Sequence, residues 1–327
     1  MCALYSRLLV QSLSLVIRCH NEEAHIGRLL SGVMHQTRRP DEIIVVDSGS
    51  TDATLAIASA FDVQIVTIAP EDFSFGRALN CGLRNASGEI AVVASAHVYP
   101  LYDSWLELLT AAFDEDDVAL AYGRQQVPEG GRFSEQQLMA RLFPPRSVMR
   151  QRDPFCNNAN AAIRMSVWRS LPYDEELTGL EDMEWATRAI SRGYVLSYVA
   201  DATVAHVHDE SFTQVVHRYR REAIAHKQIY SDQRMSLAGA LWLGASNIVR
   251  DISDARRHGV LTETLPDIPR FRLAQFYGTY RGFRQHGPVP ELLRKRFYYP
   301  PEAEHIAPVD PATTGQPIDY EAPLPDR

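Results

Sequence analysis

Residues 42–52 read Glu-Ile-Ile-Val-Val-Asp-Ser-Gly-Ser-Thr-Asp, a short apolar run that ends in a polar turn. Such a run is typical of a strand that is buried on both faces of a parallel sheet. Gly49 permits a tight turn after it, and Asp47 at the strand tip could accept hydrogen bonds from a base or a ribose. The alternative is a plain strand-to-helix turn in which Thr51 or Asp52 caps the next helix.

Similar apolar runs recur on both sides of this segment, at 13–18, 63–68, 90–94 and 118–122. Amphipathic helical patterns lie between them, with apolar residues three and four positions apart. Strands that alternate with helices predict an α/β fold, in which helices flank a mainly parallel sheet. Because ligands bind beyond the carboxyl ends of the strands in such sheets, the sequence predicts a site at Arg18, Asp47 and Ser95.

The composition is that of a folded protein, since 45% of the 327 residues are hydrophobic and 23% are charged. It excludes a disordered chain, and the length excludes a disulfide-stabilised miniprotein. The low-charge stretch 238–249 has 12 residues, whereas a membrane-spanning helix needs about 20, so we expect none. No C-x-x-C pair is present, so we expect reduced thiols in a cytoplasmic protein. The cysteines are Cys2, Cys19, Cys81 and Cys156.

The charge is divided unevenly along a chain whose net charge is −8. Residues 218–298 contain 15 Lys and Arg against 7 Asp and Glu. This basic segment predicts phosphate-bearing partners or an anionic membrane face, and a solvated helical surface is the alternative. We divide the chain into an α/β domain at 1–215, a helical extension at 216–299 and a proline-rich tail at 300–327 that we expect to be disordered.

Five polar motifs follow the predicted strands and helices in a characteristic order. They are Asn21 with Glu23, the turn from Asp47 to Asp52, Arg77 with Asn80 and Gly82, Gly88-Glu89, and Gly179-Leu180-Glu181-Asp182. With these motifs, the chain from about residue 13 to residue 208 resembles the family-2 glycosyltransferases, and in general terms their bacterial rhamnosyltransferase-like members. These enzymes have the GT-A fold and use nucleotide sugars.

The resemblance implies roles for the motif residues. Arg18, Glu23 and Asp47 would line the nucleoside pocket, and Arg77 and Asn80 would lie near the ribose and the phosphates.

The acidic motif would carry the chemistry of transfer. Asp182 would be the general base of an inverting transfer, because that reaction needs a carboxylate that removes the proton of the acceptor hydroxyl. Glu181 would hold the acceptor or the base, or it could be an acid favoured by the helix dipole.

The chain departs from the family where most members end the fourth strand with Asp-x-Asp, because it reads Ser95-Ala96-His97 there. Ser95 remains a predicted donor-binding residue, but the segment makes a poor Mg²⁺ site. His97 could bind a phosphate, donate to the leaving group or hold a softer metal such as Mn²⁺. Family members often complete a metal site with a later histidine, which implies that His97 with His206 or His208 could form one. A bound Mn²⁺ or Mg²⁺ and a metal-independent reaction both stay open.

Asparagines cluster at 157–160, where the resemblance implies contacts to the donor sugar and the acceptor. We predict that Asn158 or Asn160 binds sugar hydroxyls, although asparagines can equally satisfy the backbone of a turn.

These observations predict an inverting glycosyltransferase that moves a hexosyl or deoxyhexosyl group from a nucleoside-diphosphate sugar to a hydroxyl of a surface glycan or a lipid-linked acceptor. We expect a cytoplasmic protein that contacts the inner face of the membrane through its basic C-terminal region, and no nucleic-acid partner. One alternative is a non-catalytic nucleotide- or glycan-binding protein that retains the fold. Another is a nucleotidyltransferase, which the Glu181-Asp182 motif disfavours.

Overall fold

The computed structural model describes residues 11–287, 315–322 and 324, and these form one mixed sheet with helices around it. The strands are β1 (Leu13–Cys19), β2 (Glu42–Asp47), β3 (Gln64–Thr67), β4 (Ile90–Ser95), β5 (Val98–Pro100), β6 (Val118–Gln126), β7 (Val148–Gln151), β8 (Asn160–Arg164) and β9 (Val195–His206). Their order in the sheet is β3-β2-β1-β4-β8-β6-β9-β5, and β7 pairs with β9. The prediction of an α/β fold with flanking helices is confirmed.

The helices lie on both faces of the sheet and in a C-terminal group. They are α1 (Ile26–Met34), α2 (Thr54–Ala58), α3 (Phe75–Asn85), α4 (Trp105–Ala111), α5 (Phe133–Leu142), α6 (Met165–Ser170), α7 (Glu181–Ser191), α8 (Phe212–Ile229), α9 (Leu237–Arg257), α10 (Leu261–Thr264) and α11 (Asp267–Phe283). Among the residues that the structure describes, no helix is both long and apolar enough to cross a bilayer.

The strand β1 aligns the carboxyl ends of its two parallel neighbours. Arg18 lies opposite Ser95 of β4, and Cys19 lies opposite Asp47 of β2. Successive side chains of a strand point to opposite faces of the sheet, so Ile17 and Val16 enter separate apolar clusters on the two faces. This burial on both sides explains why β1 and β2 are apolar almost throughout.

The second half of the sheet differs from a purely parallel pattern. β8 runs antiparallel between β4 and β6, and β5 and β7 each pair antiparallel with β9. The sequence analysis did not predict these three short strands. The strand β9 runs for 12 residues and ends at His206.

The C-terminal helices are attached to the α/β domain by buried contacts. Arg272 of α11 forms an ion pair with Asp251 of α9 at 2.7 Å, and these side chains are 1% and 0% exposed. The same guanidinium donates to the main-chain oxygen of Ser134 in α5. The predicted helical extension is therefore present in the described residues and packs on α5.

The predicted disordered tail is wrong for residues 315–322, which pack against β5 and the turn after it. The Ile318 N–H donates to the oxygen of Leu101, and the Tyr320 hydroxyl donates to the oxygen of Pro100. The Arg28 guanidinium lies 4.7 Å from the centre of the Tyr320 ring. Most of the other tail residues lie outside the described ranges.

Substitutions at two helix glycines, Gly82 of α3 and Gly244 of α9, test how closely α3 packs on the sheet. A Cβ on Gly82 would lie 2.3 Å from Cγ1 of Val16 and 2.8 Å from Cγ2 of Val46, whereas one on Gly244 of α9 would lie 3.8 Å from Phe276. We expect Gly82→Ala to lower the free energy of unfolding by about 1–3 kcal/mol because the added methyl overpacks the core. Gly244→Ala should raise it by up to about 1 kcal/mol, because alanine is the better helix former.

Urea denaturation of both variants measures these changes. Equal effects of the two substitutions would contradict the close approach of α3 to β1 and β2.

Candidate active site

A cleft of about 760 Å³ opens at the edge of the sheet where β1 and β4 end. It is bounded by the start of α7, the end of β9 and the first turns of α8. Nine of the predicted site residues line it, and they are Arg18, Glu23, Ser95, His97, Asn158, Glu181, Asp182, His206 and His208. Four others do not, and they are Asp47, Arg77, Asn80 and Asn160.

Asp182 lies in the first turn of α7 and is only 8% exposed. The Asn158 N–H donates to its Oδ2 at 3.3 Å, and the Met183 N–H donates to its Oδ1 at 2.8 Å. Leu180, which precedes the helix, has a φ of 54° in the left-handed region. This conformation is unfavourable for a leucine, and it sets the direction in which α7 starts.

The pKa of the Asp182 carboxyl group lies well above that of an ordinary aspartate. Burial and then the neighbouring Glu181 charge raise its pKa to about 7, against hydrogen bonds from Met183 and Asn158 that lower it. A carboxyl group with a pKa near neutrality can both accept and release a proton under physiological conditions. This is the property required of a general base.

Asn158 positions the acidic pair. Its side-chain NH₂ donates to Oε1 of Glu181 at 3.3 Å, and its Oδ1 accepts from the Tyr173 hydroxyl at 3.0 Å. These contacts give Asn158 a positioning role beside the acidic pair.

Arg18 faces the acidic pair across the cleft. Its Nη1 lies 3.8 Å from Oε1 of Glu181, and its guanidinium lies 4.9 Å from the centre of the Phe75 ring. Both its Nε and Nη1 are buried without a hydrogen-bond partner. A guanidinium with free N–H groups is suited to binding a diphosphate.

The three predicted histidines come together. The ring centres of His97 and His206 lie 5.0 Å apart, and those of His206 and His208 lie 4.1 Å apart. One imidazole nitrogen from each lies within 4.8 Å of the other two. A metal site at these residues therefore has a geometric basis.

Each imidazole is held at its Nδ1 by an oxygen atom. His97 contacts Oε1 of Glu22 at 2.6 Å, His206 contacts Oε1 of Gln125 at 2.6 Å, and His208 contacts Oε1 of Glu135 at 2.8 Å. These three partners were not predicted. Gln125 and Glu135 lie far from the histidines along the chain, so no local pattern could have identified them.

The pKa values of His97 and His206 are shifted in opposite directions. Burial lowers the pKa of His97, but the Glu22 charge and hydrogen bond outweigh burial and raise it overall. For His206, burial and then the neighbouring His208 and His97 lower the pKa well below its usual value. His206 is therefore a neutral imidazole, and its Nε2 is buried without a hydrogen-bond partner.

The side-chain amides of Asn80 and Asn160 form hydrogen bonds inside the fold and lie outside the cleft lining. Asn80 donates to a carboxylate oxygen of Glu175 and to a main-chain carbonyl, and it accepts from an indole and a main-chain N–H. Asn160 donates to two main-chain carbonyls and accepts from the Trp105 indole. Both asparagines fix strands and loops behind the cleft.

Arg77 and Asp47 also lie outside the cleft lining. The Arg77 Nε donates to Glu175 at 3.0 Å. The Asp47 carboxylate is 1% exposed and accepts the N–H groups of Gly49 and Ser50. In this structure it shapes the turn after β2.

Part of the chain is similar to known glycosyltransferases. Residues 14–171 match the profile of glycosyl transferase family 2. The chain is 29% identical over 229 residues to the O-antigen chain rhamnosyltransferase WbaN of Salmonella anatum, covering 66% of this chain and 72% of that protein. It is 27% identical over 243 residues to the glycosyltransferase AglE of Haloferax volcanii, covering 70% and 79% of the two chains.

Solved structures share the fold at low sequence identity. A mannosyltransferase from Pyrobaculum calidifontis in complex with GDP-Man and Mn²⁺ superposes with a TM-score of 0.56 and 17% identity, covering 89% of this chain and 88% of that one. Residues 1–349 of TarS from S. aureus, in complex with UDP, superpose with a TM-score of 0.50 and 18% identity, covering 81% and 90%. The predicted GT-A fold is confirmed.

The acidic pair makes stability depend on pH. The folded-state pKa of Asp182 lies above that of an unfolded aspartate, so its contribution to stability is present at low pH and is lost as the pH rises through about 7. Asp182→Asn removes the buried charge, and we expect its melting temperature to exceed that of the wild type by at least about 3 °C at pH 8.

The difference in melting temperature between Asp182→Asn and the wild type should shrink at pH 5, where the wild-type carboxyl is protonated in the folded state. Asp232→Asn, at an exposed aspartate, is the control and should leave the melting temperature unchanged. A difference in melting temperature that is constant from pH 5 to pH 8 would contradict the raised pKa of Asp182.

Proposed function

We propose that the chain is a family-2 glycosyltransferase, which transfers a sugar from a nucleoside-diphosphate sugar to a hydroxyl group with inversion at the anomeric carbon. The match of residues 14–171 to the profile of that family and the shared GT-A fold support this proposal. The observation that carries this proposal is the buried Glu181–Asp182 pair at the start of α7, in which Asp182 has a pKa near 7. A non-catalytic binding protein has no need of a costly buried acid beside a second carboxylate.

In the proposed reaction, Asp182 accepts the proton of the acceptor hydroxyl while that oxygen forms a bond to the anomeric carbon. The bond between this carbon and the diphosphate oxygen breaks, and the nucleoside diphosphate leaves with the electron pair. The Glu181 charge strengthens Asp182 as a base. Asn158, which contacts both acids, keeps them in place.

The departing diphosphate gains negative charge and needs preorganised positive groups. Arg18 supports this role because its Nε and Nη1 are buried without hydrogen-bond partners. The histidine trio supports a cation site, since the Nε2 of His206 has no partner either. A divalent cation held by these histidines would stabilise charge on the leaving group.

For the substrates, the similarities give coarse guidance. Two relatives are named as O-antigen chain rhamnosyltransferases, so we propose a hexosyl or deoxyhexosyl group as the transferred sugar. A growing surface glycan or a lipid-linked intermediate is the corresponding acceptor class.

A lipid-linked acceptor requires access to a membrane surface, and α9 offers a suitable face. Residues 237–249 carry no charge, and Trp242, Leu241 and Leu237 are 69%, 60% and 54% exposed. Arg234 and Arg250 flank this segment. Exposed aromatic and aliphatic side chains beside arginines favour the headgroup layer of an anionic bilayer, so we propose peripheral membrane contact through α9.

Turnover with a panel of UDP-, GDP- and thymidine-diphosphate sugars tests the reaction, since slow hydrolysis of a donor needs no acceptor. We expect release of a nucleoside diphosphate, and Asp182→Asn should reduce the rate by about 10²–10⁴-fold. The same variant should keep its affinity for the nucleoside diphosphate within about threefold, and Asp232→Asn should resemble the wild type.

Release of pyrophosphate in place of a nucleoside diphosphate would instead identify a nucleotidyltransferase. Nucleotide binding with no turnover of any donor would support the binding-protein alternative. Retention of configuration in the product would contradict the role of Asp182 as a base in a single displacement.

Co-sedimentation with phosphatidylglycerol vesicles tests the α9 surface. We expect Trp242→Glu to weaken vesicle binding at least about tenfold, because a charged side chain opposes burial in the interface. Met149→Glu, at an exposed methionine on β7, is the control. Equal binding of wild type and Trp242→Glu would exclude α9 as the contact.

A further inference from the structure

We infer that His97, His206 and His208 form a three-imidazole centre for a zinc-class divalent cation, with Zn²⁺ or Co²⁺ strongly preferred over Mg²⁺. The inference deepens the proposed function, and it rests on that function only for the role of the cation at the diphosphate. Its structural basis is independent of any reaction.

The centre is assembled by pairing between β5 and β9. Val98 lies opposite His206 in the antiparallel register, and the Val207 N–H donates to the oxygen of His97 at 3.0 Å. His206 and His208 are two positions apart, which places both side chains on the same side of an extended chain. The backbone therefore fixes the three imidazoles against one another.

The hydrogen bonds at Nδ1 set which nitrogen is free. A carboxylate can only accept, so the contacts of His97 with Glu22 and of His208 with Glu135 make Nδ1 the donor. In the neutral form of each ring, the lone pair is then at Nε2. The side-chain oxygen of Gln125 acts in the same way on His206. Partners of this kind behind each ring are typical of histidines that bind a metal.

The Nε2 of His206 provides direct evidence of an incomplete site. It is buried and makes no hydrogen bond, in a residue that is 5% exposed. A buried polar group without a partner is destabilising, and a cation would supply the missing partner. The carboxylates of Glu22 and Glu135 lie behind two of the rings and contribute negative charge there, although Glu135 also forms an ion pair with Arg218.

The ligand set selects the metal. Neutral imidazoles suit Zn²⁺ and similar ions, whereas Mg²⁺ prefers oxygen ligands. Zinc–nitrogen bonds of about 2.0–2.1 Å place tetrahedral ligands roughly 3.4 Å apart, so rings whose nitrogens lie within 4.8 Å would close in slightly. Three histidines also leave one tetrahedral position open for a phosphate oxygen. The ligand set therefore favours Zn²⁺ over the Mn²⁺ or Mg²⁺ considered from the sequence.

The test uses the full chain without an affinity tag, stripped of metal by a chelator and then titrated with Co²⁺ alone. We expect one equivalent to bind with the visible absorption of tetrahedral Co²⁺, and Zn²⁺ to displace it. Excess Mg²⁺ should neither displace it nor raise the melting temperature of the stripped protein.

Variants assign the ligands. His206→Ala and His97→Ala should each weaken Co²⁺ binding at least about 100-fold, and Glu22→Gln about tenfold through the orientation of His97. His258→Ala, at an exposed histidine after α9, is the matched control and should bind like the wild type. His97 is partly exposed, so its variant remains informative if His206→Ala does not fold.

Two results would overturn the inference. One is the absence of Co²⁺ absorption in the wild-type chain, and the other is equal stabilisation by Mg²⁺ and Zn²⁺. Because no donor is present, these outcomes do not depend on transferase activity. If sugar transfer persists in the presence of a chelator and the chain binds no Co²⁺, the metal centre is excluded and the proposed transferase activity stands.

Discussion

The hydrogen-bonded register of β1 between β2 and β4 is the constraint on which the rest of the structure depends. It places Arg18 opposite Ser95 and so sets the floor of the cleft. Both faces of β1 are buried, which leaves no freedom to slip, because a shift by one residue would exchange its two apolar faces. The polar residues that follow these strands are thereby brought to a common edge.

The sequence predicted this half of the fold well because long apolar runs specify buried strands without help from distant residues. It did not predict β5, β7 and β8, which have three to five residues each and gain their order from partners elsewhere in the chain. The ordered segment 315–322 was missed for a related reason. Its main contacts are hydrogen bonds to the backbone around Pro100 and Leu101, which leave no hydrophobic period in the sequence.

The same distinction applies to the site. Glu181 and Asp182 could be predicted because a local motif places them at a helix start. The histidines could be predicted because two of them are two positions apart in an extended segment. The asparagines show the opposite case. Asn80 and Asn160 have the chemistry to bind a sugar, but the same amides serve the backbone equally well, and only the packed structure decides between these uses.

The C-terminal helices belong to the site as well as to the surface. Glu135 of α5 accepts hydrogen bonds from both His208 and Arg218, and Arg218 lies on α8. Burial raises the pKa of Glu135, but the contacts with His208 and Arg218 outweigh burial and lower this pKa to about 2. The helical extension thus contributes charge to the wall of the cleft behind the histidines.

The left-handed backbone conformation of Leu180 has a consequence for how this sequence was selected. Glycine would adopt its left-handed φ without penalty, whereas leucine forgoes roughly 1–2 kcal/mol of stability. The glycine that the sequence does contain, Gly179, stands one position earlier, where no positive φ is required. A chain selected for stability alone would exchange these residues, and this one keeps an apolar side chain facing the cleft at the expense of the fold.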